Sequence, residues 1–255
     1  MGLFLRRKAS DRKLEKREKK NRKKWFISKK GFDDTLSQSK TNKPNSFGSF
    51  VDFTLLDPRA TARDIEDLCY IAYKNQYYAV IVPPVFVSLA KRIIESKYSG
   101  AIKVGSVVGF PLGNSLSKSK IYDTKMLIKE GADEIDVSIS VSAVKMSEYN
   151  LIKAELSRIV RIAKKKVVKA IIETSYLTEQ EIERLVKIAI KAKCDFVMTS
   201  SGYAPLGANI ELVEKLSRFA DGKIGIKASG GVKTKLEAES FLRLGASRIG
   251  TSRIL

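Results

Sequence analysis

A (β/α)8 barrel is the fold class that this sequence predicts, and three observations predict it. After residue 48, eight short β-rich runs alternate with segments of helical period. That alternation implies parallel pairing and right-handed crossovers. Eight such units in about 205 residues is the length of chain that a closed barrel needs. An open doubly wound sheet is the competitor, but it would normally show a GxGxxG turn after its first strand, and the sequence has none.

Taken in order, the chain opens with a segment that does not belong to this pattern. Residues 1–30 hold 14 Lys/Arg against three acids, a net of +11 out of the +20 of the whole chain. So polar a stretch cannot bury itself, and it is expected to be a disordered or weakly helical basic arm. GFDDTLSQSKTNKPNS (31–46) continues as a polar linker, which puts the start of the folded domain at residue 47 and its end at 255. MGLFL is too short for the apolar core of a signal peptide, and Arg6 breaks the myristoylation pattern. No run approaches the roughly 18 apolar residues needed to span a bilayer. A cytoplasmic location is therefore expected.

The strands read as FVDFTLL (50–56), YYAVIVPP (77–84), IKVGSVVGF (102–110), EIDVSIS (134–140), VVKAIIET (167–174), FVMTSS (196–201), IGIKASG (224–230) and SRIGTS (247–252). Between them lie amphipathic stretches: TARDIEDLCYIAYKN, KSKIYDTKMLIKEGA, NLIKAELSRIVRIAKKK, TEQEIERLVKIAIKAK, ELVEKLSRFA and KLEAESFLRLGA. Several end at glycine, as helices commonly do. The chain is 44% hydrophobic, enough for one sizeable core. Cys69 and Cys194 sit in apolar contexts without metal-ligand spacing and are expected to be buried free thiols.

The sequence contains no histidine. Ser-His and Cys-His nucleophile systems and imidazole metal sites are thereby excluded, and proton transfer must rest on Lys, Asp, Glu, Tyr or water. In a barrel the site lies at the C-terminal ends of the strands. Candidates by position are Asp52 on strand 1, Asp136 on strand 4, Lys169 and Glu173 on strand 5, and Lys227 on strand 7. Asp136, Lys169 and Lys227 are each a charge inside a short apolar β run, and charges stay buried only when paired. Two readings follow: an internal pairing that satisfies itself, or a polar centre that tunes lysine reactivity. SGG (229–231) and GTS (250–252) close strands 7 and 8 with small residues whose N–H groups suit a phosphate, beside Ser201 and Gly202. The sixth strand's end, FVMTSSGY (196–203), is small and polar except for Met198, whose thioether is neither acid, base nor nucleophile.

VDFTLL, VVGFPLG (107–113), GADEID (131–136), VVKAIIETSYLT (167–178), IKASGG (226–231) and GASRIGTS (245–252) follow one another in an order and spacing that resemble the deoxyribose-phosphate aldolase family. The resemblance covers about 48–252. It implies a lyase, a class I aldolase with no metal and no cofactor, that cleaves 2-deoxy-D-ribose 5-phosphate to glyceraldehyde 3-phosphate and acetaldehyde. It also implies a strand-6 lysine as Schiff-base nucleophile, Lys227 as the cation that lowers that lysine's pKa, and Asp136 with Lys169 as proton-relay groups.

The family's strand 6 reads F-V-K-T-S-T-G, so Met198 stands on the Schiff-base position, matching the lysine stem without its amine. Ile81 and Pro83 replace the Cys and Asn common near the second strand's end, and Ser140 and Ser142 stand for the Asn and Gly of I-N-I-G-A. The C-terminal tail that brings a tyrosine to the site in some members is not present before Leu255. The phosphate-side positions Ser201, Gly202, Ser229, Gly230, Gly231, Gly250, Thr251 and Ser252 remain, with Asp52 grouped among the substrate-binding residues.

Three functions are thus expected to compete. One is a catalytically inactive member that keeps a sugar-phosphate pocket and works by binding. Another is an active aldolase with Lys227 as nucleophile. The third is led by the arm: KREKKNRKK (16–24) with Trp25 and Phe26, within residues 6–30, would suit an acidic protein, nucleic acid, an acidic membrane surface, or nuclear import.

Overall fold

The computed structural model describes residues 46–255. The arm and linker expected over 1–46 therefore lie, apart from Ser46, outside the described residues. Eight parallel strands close in sequence order into a barrel: β1 Val51–Thr54, β2 Ala79–Val82, β3 Lys103–Val108, β4 Glu134–Ser138, β5 Val167–Ile171, β6 Phe196–Met198, β7 Gly225–Ser229 and β8 Arg248–Thr251. The helices are α1 Ala62–Lys74, α2 Val87–Tyr98, α3 Ser117–Lys129, the short α4 Val141–Lys145, α5 Tyr149–Ala163, α6 Glu179–Ala192, α7 Ile210–Ala220 and α8 Lys235–Arg243. The (β/α)8 fold is as the sequence predicts.

Every strand is shorter than its sequence pattern suggested. The polar residues that close the runs, such as Thr199 to Ser201 after β6, leave the ladder and turn into loops where they bond across strand ends. Helix α2 lies outside the six stretches named above. Its signal was present, because Val87, Ala90, Ile93 and Ile94 repeat at helical spacing and are all buried.

Local chemistry fixes where the helices start. Thr61 with Asp64 and Thr178 with Glu181 form reciprocal capping boxes at α1 and α6. Asn209 and Thr234 cap α7 and α8 with their side chains. The apolar face of α6, with Ile182, Leu185, Val186 and Ala189, then packs onto the barrel wall, each large side chain contributing about 1.5–3 kcal/mol of burial.

Strand alternation separates two interiors. Ile135, Val137, Val168, Ala170, Val197, Ile226 and Ile249 belong to the main core between barrel wall and helices. Their neighbours point the other way, into the barrel. There Ala79, Ile81 and Val107 form a separate small apolar cluster on the β2–β3 side, covered by Leu56, Tyr78 and Phe110. The rest of the barrel interior holds Asp52, Glu134, Asp136, Lys169, Lys227 and Arg248 together with Phe196 and Met198. Cys69 and Cys194 are buried and free, and burial pushes both thiols up to about 12. No helix among the described residues is long and apolar enough to cross a membrane.

Candidate active site

Parallel registration sets Asp136 of β4 beside Lys169 of β5, and Lys227 of β7 beside Arg248 of β8. All four point inward, and with Asp52 of β1 and Glu134 of β4 they form one buried ionic network. Lys169 Nζ lies 2.6 Å from Glu134 Oε2, 2.7 Å from Asp136 Oδ1 and 3.3 Å from Asp52 Oδ2. Lys227 Nζ lies 2.6 Å from Asp136 Oδ2 and 2.7 Å from Asp52 Oδ2. Arg248 Nη1 reaches Asp52 Oδ1 at 2.8 Å and Glu134 Oε2 at 3.4 Å, with its guanidinium over the Tyr78 ring at 3.7 Å. Three carboxylates face three cations, so the formal charge cancels. That cancellation is what lets such a cluster exist in a buried interior.

The titration of the network follows from its geometry. Burial opposes ionisation of Asp52, but Lys169, Lys227 and Arg248 outweigh it and hold the carboxyl well below the usual carboxylate range. Burial likewise opposes the charge of Lys169, and Asp136, Asp52 and Glu134 overcome it, so its ammonium is held above the ordinary lysine range. Of the two readings left open by the sequence, the internal pairing describes the contacts of Asp136, Lys169 and Lys227. Asp52, grouped by the sequence with substrate-binding positions, has both carboxylate oxygens engaged in this network.

Glu134 and Arg248 were missed by sequence reasoning. The signal that singled out Asp136 is weaker for them, since Glu134 and Arg248 open β4 and β8, where a charge is ordinary in sequence. A second buried pair also escaped it: Lys120 of α3 donates to Glu155 of α5 at 2.9 Å and to the Ser138 carbonyl at 3.0 Å, locking both helices to the end of β4.

Met198 is the last residue of β6, in register with Ile171 and Lys227, and is 7% exposed. It faces inward, as does Phe196 two residues earlier, whose ring lies 5.3 Å from the Arg248 guanidinium. Thus β6 brings no charge to the network. Gly250 makes the room that Lys227 needs: a Cβ there would lie 2.9 Å from Lys227 Cε and 2.8 Å from Ser229 Cβ. Its place in the site is this absence of side chain.

At the mouth, hydroxyls hold the loops. Thr199 donates to the Ser229 carbonyl at 2.7 Å and accepts from its N–H at 2.9 Å, while the Ser229 hydroxyl donates to the Ser200 carbonyl at 2.8 Å. Ser201 N–H donates to Glu173 Oε2 at 3.1 Å, and Thr251 Oγ1 donates to the Val232 carbonyl at 3.0 Å. By contrast, the backbone N–H groups of Gly202, Gly230, Gly231 and Ser252 have no acceptor among the described residues. Gly202, Gly230 and Gly231 adopt φ of 88°, 88° and 79°, a region natural only to glycine. Gly202 and Gly230 lie against each other, a Cβ on Gly202 falling 3.8 Å from Gly230 Cα, whereas the N–H groups of Ser201 and Ser229 are already engaged by Glu173 and Thr199. Ser140 is used locally, capping α4 through the Ala143 N–H, and Ile81 lines the apolar side of the barrel.

Residues 47–248 match the model of the DeoC/LacD aldolase family. The chain belongs to the DeoC/LacD aldolase family. Among relatives, a deoxyribose-phosphate aldolase from Clostridium botulinum (strain Langeland) is 44% identical over 204 residues, covering 80% of this chain and 94% of its own. One from Thermococcus gammatolerans is 40% identical over 205 residues, with 80% and 91% covered. Among solved structures, an aldolase named QR15 superposes with a TM-score of 0.77 at 38% identity, covering 80% of this chain and 90% of that one. The deoxyribose phosphate aldolase from Aeropyrum pernix gives a TM-score of 0.75 at 32% identity, with 80% and 86% covered. Within this DeoC/LacD barrel, the ionic network and the unused N–H groups occupy the interior and the C-terminal mouth, where barrel chemistry resides.

Proposed function

We propose that this DeoC/LacD family member binds a sugar phosphate of the 2-deoxyribose 5-phosphate type at the barrel mouth without forming a Schiff base on β6. The observation that carries the reading is Met198: an inward thioether, 7% exposed, at the strand position where the resemblance expects the nucleophilic amine. A thioether cannot form an imine, and no rearrangement of neighbours supplies one at that position. The unused N–H groups of Gly202, Gly230, Gly231 and Ser252 support retention of an anion cradle for the phosphate.

One observation favours a second reading, an active aldolase with Lys227 as nucleophile: Lys227 is the register neighbour of Met198. Against it stand Asp136 and Asp52, which engage its Nζ at 2.6 and 2.7 Å. Borohydride reduction of wild-type protein with deoxyribose 5-phosphate separates the two. The binding reading expects no covalent adduct on Lys227 and a ligand-dependent rise in melting temperature. A mapped adduct on Lys227 with turnover near ~10 s⁻¹ would establish the enzyme instead.

The basic residues 6–30, outside the described region, carry a separate proposal. A net +11 over residues 1–30 is suited to an acidic protein, nucleic acid or acidic membrane surface, in a protein placed in the cytoplasm or imported to the nucleus.

A further inference from the structure

Tyr203, which the ionic network does not use, joins three parts of the barrel mouth. It follows Gly202 in the loop after β6, and its N–H donates to Ser201 Oγ at 3.1 Å. Ser201 is in turn tied to Glu173 after β5. From that anchor the Tyr203 hydroxyl donates to the Leu56 carbonyl, after β1, at 3.1 Å. Its ring meets Phe110, after β3, edge-on, with centroids 5.3 Å apart and planes at 88°. Leu56 and Phe110 both cover the apolar cluster of Ala79, Ile81 and Val107 inside the barrel. In a ring of eight strands β6 lies opposite β2, and β1 and β3 flank β2. A contact from the β6 loop to both flanks must pass over the barrel axis.

We propose that Tyr203 is a specificity-determining strap, crossing the mouth above Met198 and Lys227 and setting which molecules reach them. The strap is held at its tip by one hydrogen bond and one ring edge, and its side is open, since Tyr203 is 57% exposed. It can therefore lift, and slender molecules pass more readily than bulky ones. Resting on the phosphate-ester reading above, the admitted class is an unbranched polyol phosphate. Its phosphate stays outside on the N–H groups of Gly202, Gly231 and Ser252, and its chain passes beneath the Tyr203 ring.

The test places a thiol below the strap. In the full-length chain carrying Met198→Cys, the native Cys69 and Cys194 are buried with thiols pushed up to about 12, so the introduced thiol is the reactive one at neutral pH. Its alkylation by iodoacetamide and by a bulky maleimide is followed by peptide mapping in three backgrounds: Tyr203, Tyr203→Phe and Tyr203→Gly. Removing the hydroxyl deletes one hydrogen bond and should speed labelling about fivefold. Removing the whole side chain should speed it more, with the larger gain for the maleimide. Equal rates in all three backgrounds, for both reagents, would overturn the strap.

If Tyr203→Gly fails to fold, Cys69 and Cys194 become labelled as well, and the Tyr203→Phe comparison then decides. Deoxyribose 5-phosphate added to the same assay tests the ligand class separately. Protection of the introduced thiol supports admission of a phosphate ester. Absence of protection overturns that ligand class, while the rate ratios still decide the strap.

Discussion

Replacing Met198 by lysine places an amine on β6, and the buried network constrains how that amine behaves. The network below is already balanced, with Asp52, Glu134 and Asp136 against Lys169, Lys227 and Arg248. A fourth cation beside Lys227 has no counter-charge. Two unit charges about 4 Å apart at an effective dielectric of about 20 repel by about 4 kcal/mol, an upper bound here because Asp136 and Asp52 lie 2.6 and 2.7 Å from Lys227 Nζ. That bound corresponds to nearly three pH units, so the new amine should titrate below the ordinary ~10.4 by up to that amount. Its folded pKa is lowered, so in Met198→Lys the loss of stability accumulates as pH falls from about 10 to the folded pKa and is constant below it.

The assay is reduction with borohydride at low acetaldehyde concentration from pH 5 to 10, with peptide mapping for an ethyl group at position 198. Expected is an adduct absent from wild type, rising with pH and half-maximal below the ordinary lysine range. A half-point in the ordinary lysine range would show that the carboxylates absorb the extra charge, and the charge-balance reasoning would be refuted. Wild-type protein trapped equally well on Lys227 would refute the proposal that Met198 leaves the barrel without a Schiff-base amine.

Further outcomes follow from the same geometry. Glu134→Gln leaves Lys169 and Arg248 short of a carboxylate and should lower stability by about 3–5 kcal/mol in urea unfolding; a change under about 1 kcal/mol would mean the network contributes little. The depressed pKa of Asp52 gives stability that is full above about pH 4 and lost as pH falls, while the raised pKa of Lys169 gives stability that is full below about pH 10 and lost as pH rises. With no histidine to titrate between, unfolding midpoints should be flat from about pH 5 to 9, and a step between pH 6 and 8 would contradict this. Gly230 packs against Gly207 and Ser200, whereas a side chain at Gly231 would meet open space. Gly231→Asp should abolish stabilisation by sugar phosphates through its charge, at a cost in stability from the φ of 79° that favours glycine; a variant that stays folded by circular dichroism and keeps undiminished stabilisation would remove the anion site from this turn. Deleting residues 1–46 removes the +11 of residues 1–30 and should sharply reduce polyanion binding in a salt-dependent filter assay, leaving a cooperative melt. Salt-insensitive binding by the truncated chain would move that partner to the barrel.

The fold class was legible in the sequence because it rests on local periodicity. Alternating β-rich runs and amphipathic stretches fix parallel strands and crossovers whatever the contacts turn out to be. Met198 was legible for the same reason: a residue's identity on a strand needs no partner to be read. Buried charge was half legible. Asp136, Lys169 and Lys227 stand out inside apolar runs, whereas Glu134 and Arg248 open their strands, where a charge is ordinary, and nothing local shows that Asp52 carries both its oxygens into the network.

Which carboxylate meets which cation is decided by register and by closure of the sheet. These place Asp52, from the start of the chain, against Arg248, 196 residues away. The mouth shows the same division. The glycines of SGG and Gly202 announce a turn by composition alone, whereas Tyr203 crossing from β6 to the far side of the barrel is set by the ring of eight strands. Sequence determines what each strand presents to its two faces. Only the closed barrel determines which of those faces meet, because it brings strands far apart in the chain around one shared interior.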